Sequence, residues 1–241
     1  MTGWAGGFFH SLFGPKYTSD ALRKAVEGVV GGATLAQART RLVIPTYDAI
    51  RGRLYVFKTP HADPPDTRDA DKRAADVALA TSDAPTYVPA HAVPERGAFV
   101  DGGVWANCPA MIGLVEAIEF CKRPMAEVAV LSVSTTSYPF RLGEKQQRGG
   151  LFGWGPKIIE TFMFGQVQNA VAQATSLLRD RFHRVDYDTE PNLYKMDDVR
   201  IVEELIAVGI GIGQDRTHTD AFRRLFLRPA GKPPTWPAEV G

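Results

Sequence analysis

The run Ala98-Phe-Val-Asp-Gly-Gly-Val-Trp-Ala-Asn-Cys-Pro-Ala110 limits the fold more than any other stretch. An apolar strand ends on a carboxylate, two glycines follow, and a helix begins a few residues on. Such a strand–turn–helix junction predicts an α/β protein with Asp101 at the carboxyl end of a strand, where functional groups of open α/β sheets collect. Gly102 and Gly103 allow a sharp turn and a close approach by another group. A buried strand end is a costly place for a carboxylate. One use for it is as a general base: a free aspartate titrates near 3.9, and apolar neighbours such as Phe99, Val100 and Trp105 would raise that value. The other reading is structural, because Asp-Gly is a common turn pair.

The pattern on either side is of the same class. Asp20–Val30 reads as a helix opened by Ser19 and stopped by Gly31 and Gly32. Residues 41–49 and 53–58 read as a strand pair around a short turn, with Pro45 placing the first strand at an edge or a bend. Asp69–Ala80 reads as a helix and residues 98–100 as a strand. Asn107 is expected to cap a helix over 110–122. Residues 127–134 form a continuous apolar run, expected of a strand covered on both faces. A long helix over 156–181, a strand over 182–187 and helices over 198–208 and 214–227 complete the series. Strands alternating with helices predict a mainly parallel sheet flanked by helices. Residues 229–241 read as a disordered tail.

Composition excludes several classes. With 28 basic and 27 acidic residues the net charge is +1, so no nucleic-acid partner is expected. Cys108 and Cys121 make neither a disulfide framework nor a zinc pattern, and a reduced, cytoplasmic setting is expected. The scattered His10, His61, His91, His183 and His218 have no ligand spacing, so no metal is expected. His91 reads as a surface histidine.

Ala78–Pro89 (ALATSDAPTYVP) and AFVDGGVWANCPA together resemble the patatin-like phospholipase family. More loosely, FFHSLFGPKY and MFGQVQNAVAQATSLL are similar to other segments of its members. The resemblance implies a patatin-like fold over 1–227, with about 137–227 as a helical C-terminal extension and 228–241 as a tail. It also implies a Ser-Asp dyad that cleaves acyl esters in lipid catabolism without a cofactor. By the same resemblance Asp101 is the dyad base and Gly102 and Gly103 support its loop. Ser82, Pro85, Thr86 and Tyr87 would line or brace the acyl pocket.

The chain departs from the family in two places. The family nucleophile stands in Gly-x-Ser-x-Gly, and none of Ser11, Ser19, Ser82, Ser132, Ser134, Ser137 or Ser176 does. A glycine-rich oxyanion loop with arginine is also missing. These absences lead us to expect a fold incomplete at its N-terminus, with an unpaired sheet edge beside Asp101. A separate chain is then one expected source of the nucleophile. Losing one oxyanion donor costs about 2.7–4 kcal/mol, and losing a nucleophile about 10⁶-fold in turnover. Whether the chain is an enzyme by itself therefore stays open. The alternative is a non-enzymatic relative, or a subunit that binds lipid or a protein partner. Asp83, where the family usually has a small residue, is expected to face water. The segment FRLGEKQQRGGLFGWGPK mixes Arg141, Lys145 and Arg148 with Leu151, Phe152 and Trp154, which suits a peripheral membrane contact and a lipid-surface substrate.

Overall fold

The computed structural model describes residues 18–227 except 63, 86, 138–140, 151–153, 156, 191, 192 and 195–197. The expected tail, Thr86 of the pocket segment, and Leu151 and Phe152 of the basic–aromatic segment lie outside the described residues. The chain divides after Arg123 into two units.

The first unit is built on a four-stranded sheet. Helix α1 (Asp20–Val30) ends where Gly31 takes a left-handed φ of 58°. Strands β1 (Val43–Asp48) and β2 (Arg53–Lys58) form a hairpin with Val43 opposite Lys58 and Asp48 opposite Arg53. Its turn is fixed by Asp48, whose Oδ1 accepts the N–H groups of Ile50 (3.1 Å) and Arg51 (2.9 Å). Helix α2 (Ala74–Ser82) follows, then β3 (His91–Val93) and β4 (Gly97–Asp101). The strand order is β2-β1-β4-β3, and every pairing in this sheet is antiparallel. The mainly parallel sheet expected from the sequence is therefore corrected here. Strand–helix alternation misled because β1–β2 and β3–β4 are joined by connections of a few residues. Parallel neighbours need a crossover of about a dozen residues or more. The strand β3, only three residues long, was not foreseen.

Other differences have local causes. The expected edge beside Asp101 is not there: β4 is an inner strand, with β1 on one side and β3 on the other. Pro45 sits in inner strand β1, but the β1–β4 register starts at Thr46 opposite Asp101, so the proline falls just outside that ladder. Helix α2 starts at Ala74 and not Asp69 because the chain before it is used elsewhere. The carbonyls of Ala70 and Lys72 accept the N–H groups of Ala36 and Leu35, each at 2.9 Å.

Helix α2 lies against the sheet. Leu35, Phe57, Val77, Ala80, Val93 and Phe99 form the buried cluster, with Ile44 and Tyr55 packed on it. The rings of Tyr55, Phe57 and Phe99 meet at centroid distances of 4.7, 5.4 and 5.0 Å in tilted or edge geometry, which adds to plain burial about 0.5–1.5 kcal/mol per pair. After β4 come a single helical turn, α3 (Gly103–Ala106), and then α4 (Ala110–Val115). Asn107 ends α3, contrary to its expected role as an N-cap, and Pro109 precedes α4. The helix expected to reach residue 122 winds as a π turn over Glu116–Phe120. That widening places buried Glu116 against two cations. Arg41 Nε lies 2.9 Å from Oε1 and Lys58 Nζ 2.6 Å from Oε2.

In the second unit β5 (Val130–Ser137) and β6 (Phe182–Asp188) pair in parallel. The connection between them carries α5 (Glu144–Arg148) and the long α6 (Lys157–Leu178). Here the expected parallel β-α-β arrangement is found. Strand β5 is not covered on both faces, however: along it half-buried positions alternate with exposed Leu131 and Val133. Helices α7 (Val202–Thr217) and α8 (Asp220–Phe226) follow. Helix α7 runs unbroken through Gly209, Gly211 and Gly213, where a break between two helices was expected. Phe222, Phe226 and His183 stack at centroid distances of 5.2–6.2 Å. No helix among the described residues is long and apolar enough to cross a membrane.

Candidate active site

Asp101 is the last residue of β4 and is half-buried. Its backbone N–H donates to the carbonyl of Asp83 at 3.1 Å, so the strand end is tied to the end of α2. Its Oδ1 accepts the N–H of Gly103 at 2.7 Å. Among the described residues nothing hydrogen-bonds to Oδ2, which leaves one oxygen for an incoming hydroxyl. Burial pushes the carboxyl above its ordinary value, and the Gly103 N–H opposes the rise. A carboxylate so held is a better base than a free one.

The two glycines have different reasons for being there. Gly102 has ordinary helical angles and is buried. A Cβ on it would stand 2.1 Å from the carbonyl oxygen of Pro45, closer than any real contact. That carbonyl also accepts the Thr81 hydroxyl at 2.7 Å. Gly103 is less constrained, since its Cβ would be 3.2 Å from Asp101 Oδ1. Trp105 fixes the far side of the loop by donating its indole N–H to the carbonyl of Thr46 at 3.0 Å. Strand β1 therefore meets the Asp101 loop at two successive carbonyls, by close approach of Gly102 at Pro45 and by a hydrogen bond from Trp105 at Thr46.

Of the expected pocket residues, Ser82 ends α2 exposed, with its hydroxyl donating to the carbonyl of Ala78 at 2.7 Å. Pro85 is exposed and Tyr87 half-buried, with the Tyr87 N–H on the carbonyl of Ala84. The structure joins Asp101 to this segment through Asp83, and not through a bond to Ser82. Cys108 is buried. No group of three or more His, Cys, Asp or Glu among the described residues could hold a metal.

Two expectations are corrected beside the base. Asp83, expected to face water, is fully buried (0% exposed), and neither of its oxygens accepts a hydrogen bond. His91, expected at the surface, is buried too. Its Nδ1 stands 3.7 Å from Asp83 Oδ2 and its Nε2 3.3 Å from Asp76 Oδ1. Asp76 in turn meets Arg23 of α1 at 3.4 Å. The presence of His91 eight residues after an acid, with prolines between, was the one available signal. Nothing in periodicity pointed to Asp76.

Residues 3–114 match the model of the patatin-like phospholipase family. The chain is 33% identical over 197 residues to a cGAMP-activated phospholipase of Vibrio cholerae, covering 77% of this chain and 54% of that protein. It is 36% identical over 166 residues to a protein of the same name from Escherichia coli, covering 64% and 46%. It is 32% identical over 164 residues to patatin-like protein 2 of Arabidopsis thaliana, covering 60% and 39%. The chain thus spans about half the length of the curated relatives it matches.

Proposed function

Because residues 3–114 belong to the patatin-like phospholipase family, we propose that Asp101 is the general base of a Ser-Asp dyad for lipid acyl-ester hydrolysis. The observation that carries this reading is the half-buried Asp101 carboxylate, with one oxygen held by Gly103 and the other open.

In the proposed reaction a serine hydroxyl attacks the acyl carbonyl and gives its proton to Asp101 Oδ2. The tetrahedral intermediate collapses, and Asp101 returns that proton to the departing alcohol. Water then attacks the acyl-enzyme, again losing its proton to Asp101, which passes it to the serine oxygen as the fatty acid leaves. Gly103 keeps Oδ1 occupied, so the proton goes to the open oxygen. Gly102 lets the loop sit against β1 with no side chain between. Ser82, Pro85, Thr86 and Tyr87 brace the acyl-binding side, and the substrate is a lipid or a membrane surface.

No serine of the sequence stands in Gly-x-Ser-x-Gly. This favours a second component of the reading: the nucleophile reaches Asp101 from residues not among these 241, and the chain by itself is a binding or completing partner with little turnover. The test is hydrolysis of 4-nitrophenyl butyrate and of phosphatidylcholine vesicles, with and without cGAMP. The purified chain is expected at background. Adding a polypeptide that carries the family's Gly-x-Ser-x-Gly segment should raise the rate, and Asp101→Asn should remove at least about 10²-fold of the gain. Turnover by the complemented pair that Asp101→Asn leaves intact excludes the role given to Asp101. Fast turnover by the chain alone excludes the outside nucleophile.

A further inference from the structure

The strongest unexplained feature of the first unit is the carboxylate of Asp83. The Asp83 side chain is fully buried, and neither carboxylate oxygen accepts a hydrogen bond. Stripping a charged or polar group of water with no bond in return is among the costlier things a fold can do. Asp83 is also tied directly to the proposed site, since its backbone carbonyl accepts the Asp101 N–H at 3.1 Å.

We infer that Asp83 and His91 form a charge-compensated pair whose role is to set the basicity of Asp101, as positioning residues behind the catalytic carboxylate. The inference rests on the assignment of Asp101 as the base. The geometry is a line of acids alternating with basic side chains that enters from the surface. Arg23 on α1, 37% exposed, meets Asp76 at 3.4 Å. Asp76 on α2 meets His91 Nε2 at 3.3 Å, and His91 Nδ1 on β3 faces Asp83 Oδ2 at 3.7 Å. Asp83 then backs onto Asp101 on β4. Arg23 also lies 3.8 Å from Glu27, which is 3.3 Å from Arg73. Strand β1, the remaining element on α2, brings Asp48, but that acid is taken up by Arg51 and Arg53.

Each member of the line acts on the next. Burial pushes Asp83 up in the direction of the neutral acid; His91 and Arg23 pull it back, and the charge of Asp101 pushes it up again. Such coupling is mutual. A negative charge held on Asp83 disfavours a second one on Asp101, so Asp101 takes a proton more readily. His91 is what allows Asp83 to carry that charge in a dry interior. A small residue at position 83 would leave Asp101 with burial alone to raise it.

The test needs no turnover, so it is independent of the outcome of the esterase assay. Side-chain carboxyl carbons of the 241-residue chain are followed by ¹³C NMR from pH 3 to 9. Asp83→Asn should lower the Asp101 midpoint by about half to one pH unit, and His91→Gln should raise that of Asp83 by about one. Asp101→Asn, read in parallel, should lower that of Asp83. If Asp83→Asn does not fold, Asp83→Ser, which restores a small residue, gives the same reading. An Asp101 midpoint that stays within about 0.2 of wild type in the position-83 variant overturns the inference. So does an Asp83 midpoint unmoved by His91→Gln.

Discussion

Glu116 and Asp83 are both carboxylates buried in the first unit, yet their surroundings are opposites. Glu116 has a cation on each oxygen: Arg41 on one side and Lys58 on the other, with Lys58 also 3.6 Å from the centre of the Phe120 ring. The Asp83 carboxylate has only a histidine at 3.7 Å and accepts no hydrogen bond. A buried acid that is fully partnered ties elements together, here the π turn to the β1–β2 hairpin. A buried acid left short of partners is a standing cost, and the molecule keeps it next to the proposed base. The difference separates charge spent on holding the fold from charge that the fold leaves without a hydrogen bond.

The largest effect should come from breaking the partnered site. Glu116→Ala leaves Arg41 and Lys58 buried without their counter-charge and should destabilise the first unit by about 3–5 kcal/mol in urea unfolding. A loss under about 1 kcal/mol would put Glu116 in the same class as an exposed pair.

Asp83→Ala should go the other way, stabilising the chain by about 1–3 kcal/mol at pH 7, the scale of one unsatisfied buried polar group. The pH dependence has a definite sign. The folded-state value of Asp83 is raised, so between the unfolded value near 3.9 and the folded one the native state binds more protons than the unfolded state. Wild-type stability should therefore fall as pH rises through that window. The raised Asp101 acts in the same direction. Asp83→Ala should flatten the slope in thermal melts taken from pH 4 upward. A variant as unstable as Glu116→Ala would erase the contrast.

The smallest effect sharpens the contrast with a third acid. Asp69 is buried but partnered, by the Tyr55 hydroxyl at 2.6 Å and the Lys58 N–H at 3.3 Å. Tyr55→Phe should cost about 0.5–1.5 kcal/mol, one hydrogen bond, because Arg68 and the backbone still face Asp69. Burial and Asp69 push Tyr55 up to about 12, so its ultraviolet titration should come late and disappear in the variant.

The parts of the fold legible in the sequence were those decided within a few residues. Helix α1 with its glycine stop, the β1–β2 hairpin, and Asp101 at a strand end before a turn were all readable from period and turn chemistry. What could not be read depends on distant segments. The late start of α2 follows from Leu35 and Ala36 drawing on the carbonyls of Lys72 and Ala70. The antiparallel sheet follows from loop lengths that alternation alone does not reveal. In the site, Asp101 and its glycines were visible as a motif. Asp83 and His91 were visible only as polar residues in a loop-like stretch, and surface is the ordinary place for such residues. Their burial is set by α2 and β3 closing over them, a tertiary event with no local mark.

The missing side chain at position 102 has one more consequence. Gly102 sits so close to the carbonyl of Pro45 that a Cβ there would clash, and the Trp105 indole is bonded to the next carbonyl along, that of Thr46. The proposed proton acceptor thus stands on a turn set closely against strand β1. Whatever hydroxyl it serves must do the travelling, and the tolerance for misplacement falls wholly on the arriving partner.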